Sequence, residues 1–142
     1  MRQVSMLKPV CKRVEIKEIL DKKTQLSNPE AAHLSVLGDP DLLKFMFELL
    51  QKQNKNEAIN IEIENISNKY LKLEAHMPTL NLSDEDCINL FMPSAEHIPY
   101  MVCRQIVREA GEASNRHRCG IVAHNTPNGT VLSIILAQAK NE

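Results

Sequence analysis

The chain has 142 residues, long enough for one domain of roughly 100–200 residues with a real hydrophobic core. Its 17 basic and 18 acidic side chains leave a net charge of -1, which argues against duplex nucleic acid or an anionic membrane held by charge. No run approaches the ~18 apolar residues of a membrane span, and the four cysteines (Cys11, Cys87, Cys103, Cys119) form no CxxC pair, a pattern of free thiols rather than of a disulfide framework.

The start, MRQVSMLKPVCKR, has no apolar core long enough for a signal peptide, so a cytoplasmic location is expected. Residues 1–13 read as a lead-in, 14–138 as one domain and 139–142 as a tail. Val14, Ile16 and Ile19-Leu20 predict a short strand passing into a short helix that ends by Asn28-Pro29. HLSVL (33–37) predicts a short strand, with His33 solvated at its edge. Gly38 breaks it. Asp39 then offers an N-cap and Pro40 a first helical residue, and Leu42, Leu43, Met46, Phe47, Leu49 and Leu50 give a helix to about Gln53 with a broad apolar face. Glu48 and Lys52, one turn apart, fit a surface ion pair worth ~0.2–0.5 kcal/mol.

AINIEIE (58–64) and YLKLEA (70–75) alternate with period two around a turn at Ser67-Asn68-Lys69, and predict a hairpin burying Ile59, Ile61, Ile63, Leu71 and Leu73. Ser83 caps a short helix through Leu90-Phe91, with Asp84, Glu85 and Asp86 in its first turn. Pro99 to Gly111 predicts the main helix, with Val102, Cys103, Ile106, Val107 and Ala110 on its apolar face and Gly111 as a left-handed stop. Residues 118–123 and 130–137 predict a closing hairpin turning at Asn125–Gly129. The order predicts an α/β (α+β) two-layer sandwich, with helices on one face of a mixed, mostly antiparallel sheet. There is no internal repeat, low-complexity tract or interdomain linker.

Three stretches carry a resemblance to the ATP-binding domain of sensor histidine kinases and their relatives, the GHKL superfamily, over residues 14–138. Gly38-Asp39-Pro40-Asp41 with LLKFMFELLQKQ resembles the helix of that family's N box. NLSDEDCINLF (81–91) resembles the segment after the Asp-x-Gly-x-Gly box. HIPYMVCRQIVREAG (97–111) resembles the helix usually opened by Gly-Leu-Gly-Leu. More narrowly, CRQIVREAGEASNRHRCGI is similar to the C-terminal module of tetratricopeptide-repeat sensor proteins of Bacteroidetes. The resemblance implies a Bergerat-like fold and a place in bacterial two-component signalling.

It also implies a vestigial nucleotide pocket at Glu48, Lys52, Met77, Thr79, Asn81, His97 and Tyr100. Met77 stands where the family has the carboxylate that accepts the adenine amino hydrogen, and Thr79 and Asn81 stand for the two glycines that let backbone approach the ring. His97 and Pro99 replace phosphate-side glycines, and Pro99 removes an N–H from the helix start. Glu48 matches a common acid, but Lys52 falls where the magnesium-binding Asn belongs, and a cation there repels Mg²⁺. Only five residues, Met92 to Glu96, separate Phe91 from His97, too few for the usual lid.

The reading is a nucleotide-incompetent, pseudo-ATPase-like interaction or regulatory module with no cofactor, acting on a protein partner or the rest of a larger sensor protein; a homodimer is compatible with it. The alternatives are a divergent ATP- and Mg-binding kinase domain, in which Lys52 and the arginines hold phosphates, and a small-ligand sensor. The phosphoacceptor helices of a complete sensor kinase are not in this sequence, which fits a segment of a longer protein or a stand-alone relic. No metal site is expected, because His97, His117, His124 and the cysteines lack ligand spacing. No thiol has a base oriented toward it, so no nucleophile is expected either. Arg104, Arg108, Arg116 and Arg118 read either as a solvated face, with Arg108 paired to Glu112, or as a docking face for an acidic partner or bound phosphate.

Overall fold

The computed structural model describes residues 10–139; the expected lead-in over 1–9 and the tail over 140–142 lie outside the described residues. The elements are β1 (Lys12–Glu15), α1 (Ile16–Ile19), β2 (Thr24–Leu26), a 3-10 turn (Pro29–His33), β3 (Ser35–Gly38), α2 (Pro40–Gln53), β4 (Ile59–Ser67), β5 (Tyr70–Met77), α3 (Asp84–Asn89), a 3-10 turn (Ala95–His97), α4 (Ile98–Ser114), β6 (Gly120–Thr126) and β7 (Gly129–Ala137).

The helix starts form as their caps dictate. The Asp39 carboxylate accepts from the N–H groups of Asp41 (3.0 Å) and Leu42 (3.4 Å), and Ser83 Oγ accepts from Asp86 N–H (3.0 Å). In α2, Leu43, Met46, Phe47 and Leu50 are fully buried at the three- and four-residue steps of one helical face. The ion pair expected between Glu48 and Lys52 does not form: both side chains are exposed, and neither belongs to any ion pair among the described residues.

The main sheet has five strands in the order β2-β4-β5-β7-β6, antiparallel except for the β2–β4 pair. β1 and β3 pair antiparallel as a separate two-stranded ribbon. The sequence did not announce β2, because three residues carry no period. Its parallel pairing with Ile59–Ile61 is what makes the sheet mixed. Ile59, Ile61, Ile63, Leu71 and Leu73 are buried on one face, in one core with α2 and α4. Cys103 Sγ of α4 lies 3.9 Å from the Met46 carbonyl of α2, so the two helices touch. The opposite face of β4 and β5 carries polar residues (Asn60, Glu62, Glu64, Lys72, Glu74, His76) as the alternation requires.

α4 differs from expectation at its end. It does not stop at Gly111 but runs to Ser114, and Asn115 takes the left-handed conformation (φ 58°, ψ 42°). Arg116 N–H donates to Gly111 O (2.8 Å) and Asn115 N–H to Glu112 O (3.2 Å), a Schellman closure. Gly111 is needed for space instead: a Cβ there would sit 2.8 Å from Arg116 O and 3.0 Å from Cys119 Cβ. The buried face is also rotated. Ile106 is buried as expected, but Val102 is only half-buried, and Tyr100 and Gly111 take part in the buried stripe. The closing hairpin turns on Pro127-Asn128, between Thr126 and Gly129.

Candidate functional site

The residues assigned to the vestigial nucleotide pocket meet different fates. Met77 ends β5 with its side chain 1% exposed, inside the core. Pro78 follows, and Thr79 is tied to α2. Both its N–H (3.1 Å) and its hydroxyl (2.6 Å) donate to Asn54 Oδ1. Asn54 follows the last residue of α2 and is 0% exposed; its Nδ2 donates to the carbonyls of Glu57 (3.3 Å) and Ala58 (3.2 Å). All four bonding positions of one buried amide are therefore in use, two as donor and two as acceptor.

The chain beyond Thr79 is pinned as well. Thr130 N–H donates to Leu80 O (3.1 Å), Leu82 N–H donates to Thr130 Oγ1 (3.5 Å), and Asn125 Nδ2 donates to Leu82 O. Thus the segment that the resemblance assigns to glycine-rich adenine contacts is held by side-chain bonds to α2, β6 and β7. Asn54 was not singled out from the sequence. The only local sign is an asparagine just past a helix end; its partner Thr79 lies 25 residues away.

At the start of α4, Tyr100 is 4% exposed, with its ring edge-on to Phe91 and to His97, both centroids 6.4 Å away. Burial pushes its hydroxyl up to about 12. His97 precedes α4 without capping it, and its Nδ1 is buried with no hydrogen-bond partner. The structure thus brings Tyr100 and His97 together. Asn81, Glu48 and Lys52 are exposed, and none makes a side-chain hydrogen bond or ion pair with the other pocket residues.

Arg104, Arg108 and Arg118 are exposed, as on a solvated face, and Arg116 is half-buried. Arg108 does not pair with Glu112, and none of Arg104, Arg108, Arg116 and Arg118 makes an ion pair among the described residues. They line two adjoining cavities that share Arg108 and Cys119: one of about 490 Å³ with Arg104 and Arg118, and one of about 180 Å³ with Arg116 and His117. Arg116 Nε is buried without an acceptor.

The four cysteines are free. Burial pushes the Cys103 thiol up to about 12 and raises Cys87 and Cys119, so these three stay protonated near neutrality and make poor nucleophiles. One group, missed in the sequence, could hold a cation: Glu62, Glu74 and His76 offer ligand atoms within 4.8 Å of one another on the outer sheet face. Strand alternation placed all three on that face, and the register that sets Glu62 opposite Glu74 brings them together. Other contacts already engage them: Lys72 Nζ lies 3.9 Å from Glu74, and His76 Nε2 lies 3.5 Å from a Glu62 carboxylate oxygen.

No protein-family model matches this sequence, and no curated protein matches it. Solved structures do match its fold. A mycobacterial sensor histidine kinase, MprB, superposes with a TM-score of 0.69 at 13% identity, over 93% of this chain and 100% of that one. The ATP binding domain of PrrB from Mycobacterium tuberculosis gives 0.67 at 12%, over 92% and 98%. The histidine kinase AdeS of Acinetobacter baumannii gives 0.63 at 16%, over 97% of this chain and 72% of that one. The chain therefore has the fold of histidine kinase catalytic domains over most of its length, as the Bergerat-like reading expected. No helix among the described residues is long and apolar enough to cross a membrane.

Proposed function

We propose that this chain is a histidine-kinase-like domain that does not bind ATP in that family's manner and serves as an interaction or regulatory module in bacterial signal transduction, acting on a protein partner or on the rest of a larger sensor protein. What supports this reading is the chemistry at the positions that the resemblance assigns to adenine. Met77, standing for the adenine-binding carboxylate, is buried in the core, and Thr79, standing for the first glycine, is locked by two bonds to Asn54. An adenine ring there would find no carboxylate, and it would approach a β-branched side chain whose release costs a buried polar group its partner, typically ~1–3 kcal/mol. At the phosphate end, Pro99 withholds an N–H within the first turn of α4. Lys52, standing for the magnesium-binding Asn, would repel Mg²⁺ and makes no ion pair among the described residues.

Two losses of this size weaken binding by ~2–6 kcal/mol, and each 1.4 kcal/mol is about tenfold. The test is calorimetric and thermal-shift titration with ATP and ADP, with and without Mg²⁺. The expected result is no saturable binding at millimolar nucleotide. Saturable, Mg²⁺-dependent binding at tens of micromolar would sink the reading. It would favour the second one, a divergent catalytic domain, which the likeness to a solved ATP binding domain also supports.

A further inference from the structure

We propose that the near half of β6, Gly120–Ala123, is a docking edge for an extended acidic segment of a partner protein. That segment would add to the main sheet as a further strand, with its carboxylates on Arg104, Arg108 and Arg118. The inference gives the interaction reading above a surface and a partner chemistry. It rests on that reading only for the existence of a partner.

β6 ends the strand order, so among the described residues one side of its backbone faces no strand. Antiparallel ladders alternate bonded and non-bonded pairs. Counting from the Thr126–Gly129 pair beside the two-residue turn, the peptide groups of Ile121 and Ala123 face outward. Among the described residues, no hydrogen bond beyond the β7 ladder reaches the backbone of residues 120–124. Proteins normally guard such an edge with charge, proline or a bulge. GIVAHNT has no proline and no acidic or basic side chain except His124, and its register with β7 is unbroken. At the far half, Cys87 of α3 and the Leu82 carbonyl just before it bond to the Asn125 side chain. Val122 on the near half is 61% exposed, and a Cβ at Gly120 would meet nothing within 4 Å.

The charge decides the occupant. The cavity of about 490 Å³ at this edge is lined by Arg104, Arg108 and Arg118 together with Ile121, Val122 and Ile135, and no acidic residue among the described residues lines it. Unpaired guanidinium groups favour carboxylates, and backbone pairing with alternating side chains supplies the rest of the recognition. The buried, unpartnered Nε of Arg116 in the adjoining cavity is a further donor without an acceptor. A second copy of this chain would bring its own arginines to the same edge, so self-pairing is disfavoured.

The test uses a fluorescein-labelled short peptide of alternating Glu and Val, read by anisotropy, together with amide hydrogen exchange at Ile121 and Ala123. Controls are a Lys-Val peptide and a Glu-Pro peptide, which cannot form a strand. The expected result is saturable binding of the Glu-Val peptide alone, protection of those two amides, and at least about a tenfold loss in Arg104→Glu with Arg108→Glu. Both substitutions sit at exposed helix positions, and an unchanged melting temperature confirms that the fold is retained. Equal binding of the Glu-Pro peptide would show simple charge attraction and overturn strand addition. So would protection of the same amides by self-association, full binding by the double variant, or no binding at all. A protein that binds neither peptide nor Mg-ATP loses this inference and keeps the nucleotide reading; one that binds Mg-ATP but not the peptide loses both.

Discussion

Removing the Asn54 amide tests what holds the segment after β5 to the end of α2. Asn54→Ala deletes four hydrogen bonds at a residue with 0% exposure: to the carbonyls of Glu57 and Ala58, and from the N–H and hydroxyl of Thr79. Glu57 and Ala58 are exposed, and water can replace their two bonds. The Thr79 pair is half-buried and has no such substitute. At about 1 kcal/mol for each unreplaced bond, plus a cavity contribution of similar size, the loss comes to about 2–4 kcal/mol. Thr79→Val deletes only the 2.6 Å bond, keeps the N–H bond, and should cost about 1 kcal/mol. Because the two substitutions remove the same bond, the second costs almost nothing once the first is made, and the double-mutant cycle shows a coupling of about 1 kcal/mol. Urea unfolding followed by circular dichroism measures all four proteins, with the slope checked for constancy. A loss below about 1 kcal/mol for Asn54→Ala, or an additive cycle, would refute the clamp. The same geometry governs the reversal Met77→Asp with Thr79→Gly and Asn81→Gly, the direct test of the residue assignment. It removes the hydroxyl bond and places a carboxylate at a core position, so partial recovery of adenine binding should come with a clear loss of stability.

Ile106→Ala should cost about 2–5 kcal/mol in the same assay, since the side chain is 6% exposed in the core; a loss under about 1 kcal/mol would mean the buried face of α4 is wrong. Stability should also fall in alkali. The Cys103 thiol rises from an ordinary 9.0, and the Tyr100 hydroxyl from 10.0, each to about 12 on folding. Both are neutral when protonated, so the unfolded chain gives up its protons first; the contribution is whole below pH 9 and is lost as pH climbs toward 12. The slope for Cys103 alone approaches about 1.4 kcal/mol per pH unit, and urea midpoints measured across this range should show it, with a flatter profile in Cys103→Ala. A flat profile in the parent protein would contradict the burial of these groups.

The helices and hairpins were legible because their causes are local. Asp39 and Ser83 bond to N–H groups two or three residues on, and AINIEIE carries its own period. The buried residues Leu43, Met46, Phe47 and Leu50 of α2 and the apolar face of the β4–β5 hairpin followed from spacing, although Leu42, which the same spacing placed on the α2 face, is exposed. Local signs failed where a neighbour distant in sequence decides. Gly111 read as a stop, yet it is a glycine because the loop carrying Cys119 closes onto it, while Asn115 takes the turn. Glu48 with Lys52, and Arg108 with Glu112, stand at pairing distance along a helix, but solvated side chains gain little from closing such a pair. β2 exists because β4 offers it an edge, and Asn54 matters because the chain returns to it at Thr79. Likewise the four arginines were visible as residues, but their sharing of adjoining cavities beside an open strand edge depends on α4, the 115–119 loop and β6 meeting in space. A buried polar group or a strand edge acquires its partner only when the chain closes on itself, so its role is set by tertiary contact and leaves no period in the sequence.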